Sequence, residues 1–476
     1  PDLAYEANPT GGGRGRWVWD QQRPRFIGED YFIAGHHPEL SYIGGEAVFG
    51  GKAASLPAAG LMARILTEGY RWAGCGGFHF WMGQSDTDGA HYPSFAARAV
   101  FCRQWDWTFG SGQAMTRTFG IFNDTRFADP ITFTRKLTLG GKEVFQKTTQ
   151  HQVVPGGNEK WDETIPLPNV GQRTEGELAL TLSVGGREVY RDVKTVSVLA
   201  PAKTALPNPI AVYDPQQSLD RFFKDLGQTT LPVGSLASLP DNAKVLLIAP
   251  NALTEAEATS TKLAAWAASG RAVIVLEQRH PLKFQALPCE MESAQNNGRA
   301  AFAEDLDHPV LRGLQQKDFF TWSPDSVVYR DAYLKPARGA KSLIQCDEPL
   351  RCSALVEVPC GKGLLLLSQL LIGEKLASNA VAQTLLQGML GYAASYKQEF
   401  LPVAAVTAMI TGIATLLIAL YGFGIGQGRA LVPVTPAFTL GRGALLASET
   451  AIIYYAFTVV PLADVYVLTF LTPIFV

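Results

Sequence analysis

"ITFTRKLTLGGKEVFQKTTQ" (131–150) alternates apolar and polar side chains on both sides of Gly140-Gly141. Alternation with a period of two marks a half-buried strand, and paired glycines between two such runs supply the positive φ angles of a tight hairpin. The pattern recurs in "MTRTFGIFNDT" (115–125) and in "ELALTLSVGGREVYRDVKTVSVL" (177–199), the latter cut at Gly185-Gly186. Residues 111–200 are therefore expected to form an antiparallel β-sandwich. That module divides the chain, because the sequence on either side follows a different rhythm.

Upstream, residues 1–110 alternate strand and helix. "PRFIGE" (24–29) is a strand, and "SLPAAGLMARILTEGYRWA" (55–73) places Leu56, Leu61, Ile65 and Leu66 on one helical face. "GCGGFHFWM" (74–82) is a second strand and "SFAARAVFCRQWDWTF" (94–109) a second helix. Two β/α units imply a parallel sheet, yet two are too few to close a barrel. The expectation is that further units precede Pro1. The chain starts without Met, a charged leader or an apolar signal segment, and so reads as a fragment.

Downstream, "APAKTALPNP" (200–209) is a Pro/Ala-rich linker. After it "IAVYD", "KVLLIAP", "RAVIVLEQ" and "GLLLLSQ" are separated by helical stretches such as 254–269 and 378–396. Short apolar strands alternating with helices predict a doubly wound, flavodoxin-like α/β domain over 210–398. From Phe400 the composition changes again: residues 400–428 carry no charge and 450–476 carry one, Asp464. Each run exceeds the ~20 apolar residues that cross a bilayer, so 400–476 is expected to be a tail of transmembrane helices. Arg429 and Arg442 between the runs, with Glu449 as the only acid there, favour a cytoplasmic loop. That orientation puts the soluble part in the periplasm or outside the cell.

The bulk numbers agree with several domains: 476 residues against ~150 for an ordinary one. A net charge of −2 and no basic face argue against nucleic acid. The six cysteines show no CxxC and no zinc spacing, and no cofactor motif is present, so buried free thiols are expected. Most of the nine tryptophans lie before Phe109, which makes the front of the chain rich in stacking surfaces.

The chemistry concentrates there too. A side chain at the carboxyl end of a parallel strand faces the crevice where ligands bind. Glu29 ends the first strand, and His79 and Trp81 lie at the end of the second. The loop after Glu29 carries His36, His37, Glu39, Tyr42 and Glu46; the loop after Trp81 carries Asp86, Asp88 and His91. Acids with aromatics suit a carbohydrate, since rings stack on sugar faces and carboxylates hold hydroxyls. They also suit glycosidic cleavage, which needs two carboxylates at the anomeric carbon. The alternatives are a solvated or helix-capping Glu29, a core Trp81, and a His36-His37 pair that lacks a matched set of metal ligands.

Three features resemble the end of a clan A glycoside hydrolase barrel of the family 2 or β-galactosidase-like type: the "P-x-x-x-G-E" strand at 24–29, the helix followed by "GGFHFWM", and the order "RTFGIFNDT", "DPITFTRKLTLGGKEVFQKTTQ", "IPLPNV" of the sandwich that follows such barrels. The likeness spans roughly residues 15–200, and the sandwich is expected to be immunoglobulin-like from its strand and turn pattern. It implies that Glu29 is the nucleophile on the seventh barrel strand and Trp81 the floor of a sugar subsite. His36, His37, Tyr42, Glu46, His79, Asp86 and Asp88 would surround an oligo- or polysaccharide. The family's acid/base, in an Asn-Glu pair after the fourth strand, has no counterpart among these residues, so this chain alone is expected to be inactive.

Residues 210–396 resemble the class I glutamine-amidotransferase-like domain found with many β-galactosidases, through "DHPVLRGL" (307–314), "VPCGKGLLLLSQL" (358–370) and "GYAASY" (391–396). Amidotransferases place a Cys on a sharp strand–helix elbow with a His-x-Glu partner. Here "LLIAPNALTEAE" has Asn251 near the elbow, Cys289 lies in "LPCEM", and no His-x-Glu occurs within 210–396. A scaffold or homo-oligomerisation domain is expected. The stretch "SETAIIYYAFTVVPLADVYVLTFLTPIFV" (448–476) resembles a helix hairpin of the drug/metabolite transporter superfamily (EamA-like). Two rival readings remain open: a non-catalytic carbohydrate-binding or scaffold protein, and a transporter fragment joined to an unrelated soluble part.

Overall fold

The computed structural model describes residues 52–75, 92–201, 209–347 and 350–398, the short stretches 5–6, 16–17, 26–30 and 77–80, Leu206, and isolated positions between 413 and 426. At the front, β1 (Tyr5–Glu6) pairs antiparallel with β2 (Arg16–Trp17). Strand β3 (Phe26–Asp30), helix α1 (Lys52–Trp72) and β4 (Gly77–Phe80) follow, and β3 pairs parallel with β4. This gives one of the two β/α units the sequence predicts.

The apolar stripe of α1 is only part of its contact surface. Leu61, Ile65 and Leu66 are half-buried, whereas Thr67 and Glu68 are buried. Polar anchors hold the helix to the sandwich: Arg64 to Asp192 at 2.6 Å and Arg71 to Asp124 at 2.8 Å. Trp72 packs on Phe122 with ring centroids 5.9 Å apart, and Lys160 Nζ donates to the Trp72 carbonyl at 2.8 Å.

Residues 94–109 are not a helix. They form a 3-10 turn at Tyr92–Phe95, then strands β5 (Arg98–Cys102) and β6 (Thr108–Gly110). Ala99, Val100, Phe101 and Cys102 are all buried, so the run lacks the alternation that marks a one-sided strand, and its apolar content mimics a helix. Both strands join the sandwich.

The sandwich adds β7 (Ala114–Asn123), β8 (Ile131–Leu139), β9 (Lys142–His151), β10 (Gly157–Pro166), β11 (Thr174–Val184) and β12 (Arg187–Leu199). One sheet runs β10-β7-β5 and the other β6-β12-β11-β8-β9. The hairpins turn at the two glycine pairs, with φ of 55° and 77° at Gly140 and Gly141 and 58° and 82° at Gly185 and Gly186. Both residues of such a turn need the left-handed region, which only glycine enters without steric cost. Phe101, Phe119, Ile121, Phe133, Leu137 and Leu180 fill the space between the sheets.

Beyond the linker come β13 (Ile210–Tyr213), α2 (Asp220–Asp225), β14 (Thr230–Pro232), β15 (Val245–Ile248), α3 (Lys262–Ala268) and β16 (Ala272–Val275). A long excursion carries β17 (Asn297–Gly298), β18 (Ala301–Ala303), β19 (Tyr329–Arg330), β20 (Tyr333–Leu334), β21 (Lys341–Cys346) and β22 (Cys352–Cys360). The chain then returns through β23 (Gly363–Ser368) to α4 (Ile372–Lys375) and α5 (Ala380–Ser395). Neighbours in the order β14-β13-β15-β16-β23 are parallel, as expected; β22, β21 and β18 extend the sheet antiparallel. Every residue of β13, β15, β16 and β23 is buried, which is why these strands read as unbroken apolar runs. The expected helix over 254–269 is a 3-10 turn (Glu257–Thr259) and α3, because Ser260 takes an extended conformation between them. Asn379 caps α5 by accepting from the amides of Val381 and Ala382.

Pro1–Lys397 forms one unit and Gln398–Val476 another. Among the described residues no helix is long and apolar enough to cross a membrane. The tail at 400–476 lies almost wholly outside the described residues.

Candidate functional site

Two places gather the features of a site. The first is the carboxyl end of the β3–β4 pair. The ladder matches Phe26 with Gly77 and Ile27 with Phe78, then slips and resumes with Asp30 opposite Phe80. Gly28 and Glu29 thus stand against the single position of His79. Glu29 and His79 are therefore neighbours in the backbone. Trp81, His36, His37, Tyr42, Glu46, Asp86 and Asp88 lie outside the described residues.

The second is the carboxyl edge of the parallel sheet, the side on which open α/β sheets bind ligands. It holds a residue that the sequence reading missed. Glu277 follows β16 and is buried. Its Oε1 accepts the Glu374 amide at 2.7 Å and its Oε2 the Gly373 amide at 3.1 Å. Burial is the largest influence on this carboxyl and, with nearby Glu374, pushes it up to about 7 against the two amides that favour the anion. Gly373 is required here, since a Cβ would sit 1.9 Å from Cγ of Pro250. The signal was an acid directly after an apolar run, "AVIVLE".

Around Glu277 the polar groups satisfy one another. Gln278 donates to the carbonyls of Ala249 and Leu276 and accepts from the Leu253 amide. Gln369 accepts from the Gln278 amide and donates to the Gln278 and Arg330 carbonyls. Arg330 pairs with Glu374 at 2.6 Å, and Lys375 with Asp325 at 2.6 Å. At the switch between β13 and β15, Asp214 accepts from Ser218 and the Leu219 amide, and Tyr213 donates to Glu257 at 3.2 Å. This edge is a closed hydrogen-bond network that locks the strand ends.

The strand–helix elbow carries no amidotransferase nucleophile: Asn251 occupies the turn after β15 with φ of 51°, its backbone amide donating to the Glu277 carbonyl at 2.9 Å. Cys289 is half-buried, and burial, with Cys360 nearby, raises its thiol, the reverse of what nucleophilic attack needs. His308 is held by structural bonds: its Nδ1 accepts from the Val310 amide and its Nε2 faces Glu357 at 3.0 Å. No group of three or more His, Cys, Asp or Glu side chains suited to a metal ion occurs among the described residues.

No family model matches the sequence, and no curated protein matches it. Among solved structures the chain is similar to Spo0M, a sporulation control protein from Bacillus subtilis, at 16% identity over 22% of this chain and 50% of that one, with a TM-score of 0.18. It is also similar to a beta-glucosidase from Listeria innocua in complex with gluconolactone, at 11% identity over 22% of this chain and 16% of that one, TM-score 0.18. A putative beta-galactosidase from Bacteroides fragilis is similar at 12% identity over 40% and 35%, TM-score 0.18. The chain spans half or less of each of these three proteins, and likenesses this partial carry no functional argument.

Proposed function

We propose that this chain is part of a retaining glycoside hydrolase acting on β-linked sugars, with Glu29 as its nucleophile. The observation that supports this most is the parallel β3–β4 pair, joined through α1 and irregular at Gly28–Glu29 opposite His79. It is followed in sequence by a sandwich and a doubly wound domain, the order the resemblance implies. In such a reaction the Glu29 carboxylate attacks the anomeric carbon as the glycosidic C–O bond breaks and the leaving oxygen is protonated. Water then hydrolyses the glycosyl ester with net retention. Trp81, His36, His37, Tyr42, Glu46, His79, Asp86 and Asp88 would contact the sugar. The acid that protonates the leaving group would come from outside these 476 residues.

The α/β domain acts as scaffold in this reading. The raised thiol of Cys289 and the closed network at the strand ends support that assignment. A scaffold that only binds sugar is the second reading, and one experiment separates the two. The longest natural form of the protein is assayed on aryl β-glycosides, with Glu29→Gly as the variant. Turnover lost in Glu29→Gly and restored by azide, with an α-glycosyl azide as product, identifies the nucleophile. Sugar binding without turnover in the parent form favours the second reading.

A further inference from the structure

Cys346 ends β21 and Cys352 begins β22, and the two stand directly opposite one another in an antiparallel ladder. Opposed residues in such a ladder share a face, with Cα atoms about 4.5–5.5 Å apart. A disulfide spans Cα separations of about 4.4–6.8 Å, so the pairing falls inside its reach. Five residues, 347–351, separate the two cysteines along the chain, and the Leu350 amide donates to the Asp347 carbonyl at 2.6 Å. None of the other four cysteines faces a cysteine in a described ladder. Both thiols are free and fully buried. Burial raises Cys346 well above its ordinary value, and the nearby Cys352 raises it further. Cys352 is also pushed up, to about 11, by burial and by Asp347, whose Oδ2 lies 3.6 Å from its Sγ.

We propose that Cys346 and Cys352 are a redox pair that closes an intrachain disulfide by exchange with a small-molecule disulfide such as oxidised glutathione. One cysteine thiolate attacks a sulfur of the small disulfide and expels one small thiolate, leaving a mixed disulfide. The second cysteine attacks the protein sulfur of that adduct and expels the other. Two protein thiols are oxidised, one small disulfide is reduced to two thiols, and the cysteine protons end on those products. Burial keeps both cysteines as thiols, so exchange requires the hairpin to open or precedes the zipping of β21 onto β22. Once closed, the bond pins the antiparallel extension of the sheet at its turn.

Arg351 lies between the two cysteines, so trypsin separates them into peptides 342–351 and 352–362, the second of which also contains Cys360. The full chain is incubated natively with oxidised glutathione, trapped with N-ethylmaleimide during denaturation, digested and read by mass spectrometry. The expected result is a linked 342–351/352–362 pair that vanishes on reduction, persists in Cys360→Ser and is absent in Cys352→Ser. The wild-type and Cys360→Ser maps decide the matter even if Cys352→Ser fails to fold. Full alkylation of Cys346 and Cys352 after oxidation overturns the proposal, as does a link that moves with Cys360.

Discussion

Arg173 and Asp318 join the sandwich to the α/β domain through a two-armed ion pair, Nη1 to Oδ2 at 2.6 Å and Nη2 to Oδ1 at 3.0 Å. The Asp318 side chain is fully buried and also accepts from Thr108 Oγ1 at 2.7 Å and the Gln315 amide at 2.7 Å. Removing one partner of a buried pair leaves the other charge uncompensated, at a cost of about 3–5 kcal/mol. Asp318→Ala should therefore lower unfolding stability by that amount in denaturant titrations. A loss under about 1 kcal/mol would mean the pair behaves as an exposed one.

The same interface is acid-sensitive. Burial alone would raise Glu175, but hydrogen bonds from Lys317, Ser197 and Arg173 outweigh it and hold the carboxyl at about 2. A lowered acid stabilises the fold above its unfolded value of 4.5 and loses that contribution as pH falls toward 2. Glu175→Gln should flatten the acid limb of the stability curve between those values. An unchanged limb would remove Glu175 from the account.

Glu277 predicts the opposite slope. Its folded value, about 7, lies above the unfolded 4.5. Below pH 4.5 both states hold the proton and the contribution is complete; between the two values only the folded state does, so stability falls as pH rises and levels off above 7. At ~1.4 kcal/mol per unit the loss is about 3 kcal/mol. Urea titrations at pH 5 and pH 8 should show it in the parent chain and not in Glu277→Gln. Equal slopes in both would refute it.

The charge-free run 400–428 and the run 450–476 with Asp464 alone carry the membrane proposal. Insertion depends on local hydrophobicity, so the expressed chain should partition into membranes and truncation after Lys397 should release it. Protease added outside intact spheroplasts should digest residues 1–396. A full-length chain that stays in the soluble fraction would end this proposal, and complete protection would reverse the topology.

Periodicity made much of the fold legible. The glycine pairs marked the two hairpins, and the apolar runs of β13, β15, β16 and β23 marked the parallel sheet. It failed where burial is not one-sided, as at β5, or where a Ser-Thr pair breaks a helical stretch, as at Ser260-Thr261. The Arg173–Asp318 pair was invisible because partners 145 residues apart leave no local pattern. Glu277 was overlooked because an acid after a strand reads as solvated until the packing above it is known. At the front the parallel β3–β4 pair was legible as a strand–helix–strand unit, while Trp81 and the loop residues expected around Glu29 lie outside the described residues.

Trapping with an activated 2-deoxy-2-fluoro-β-glycoside tests the central claim most directly, because a good leaving group departs without an acid and fluorine slows hydrolysis of the ester. Peptide mapping of the longest natural form should place the fluorosugar on Glu29. Label on Glu39 or Glu46, or no label in a form that turns over substrate, would contradict the assignment.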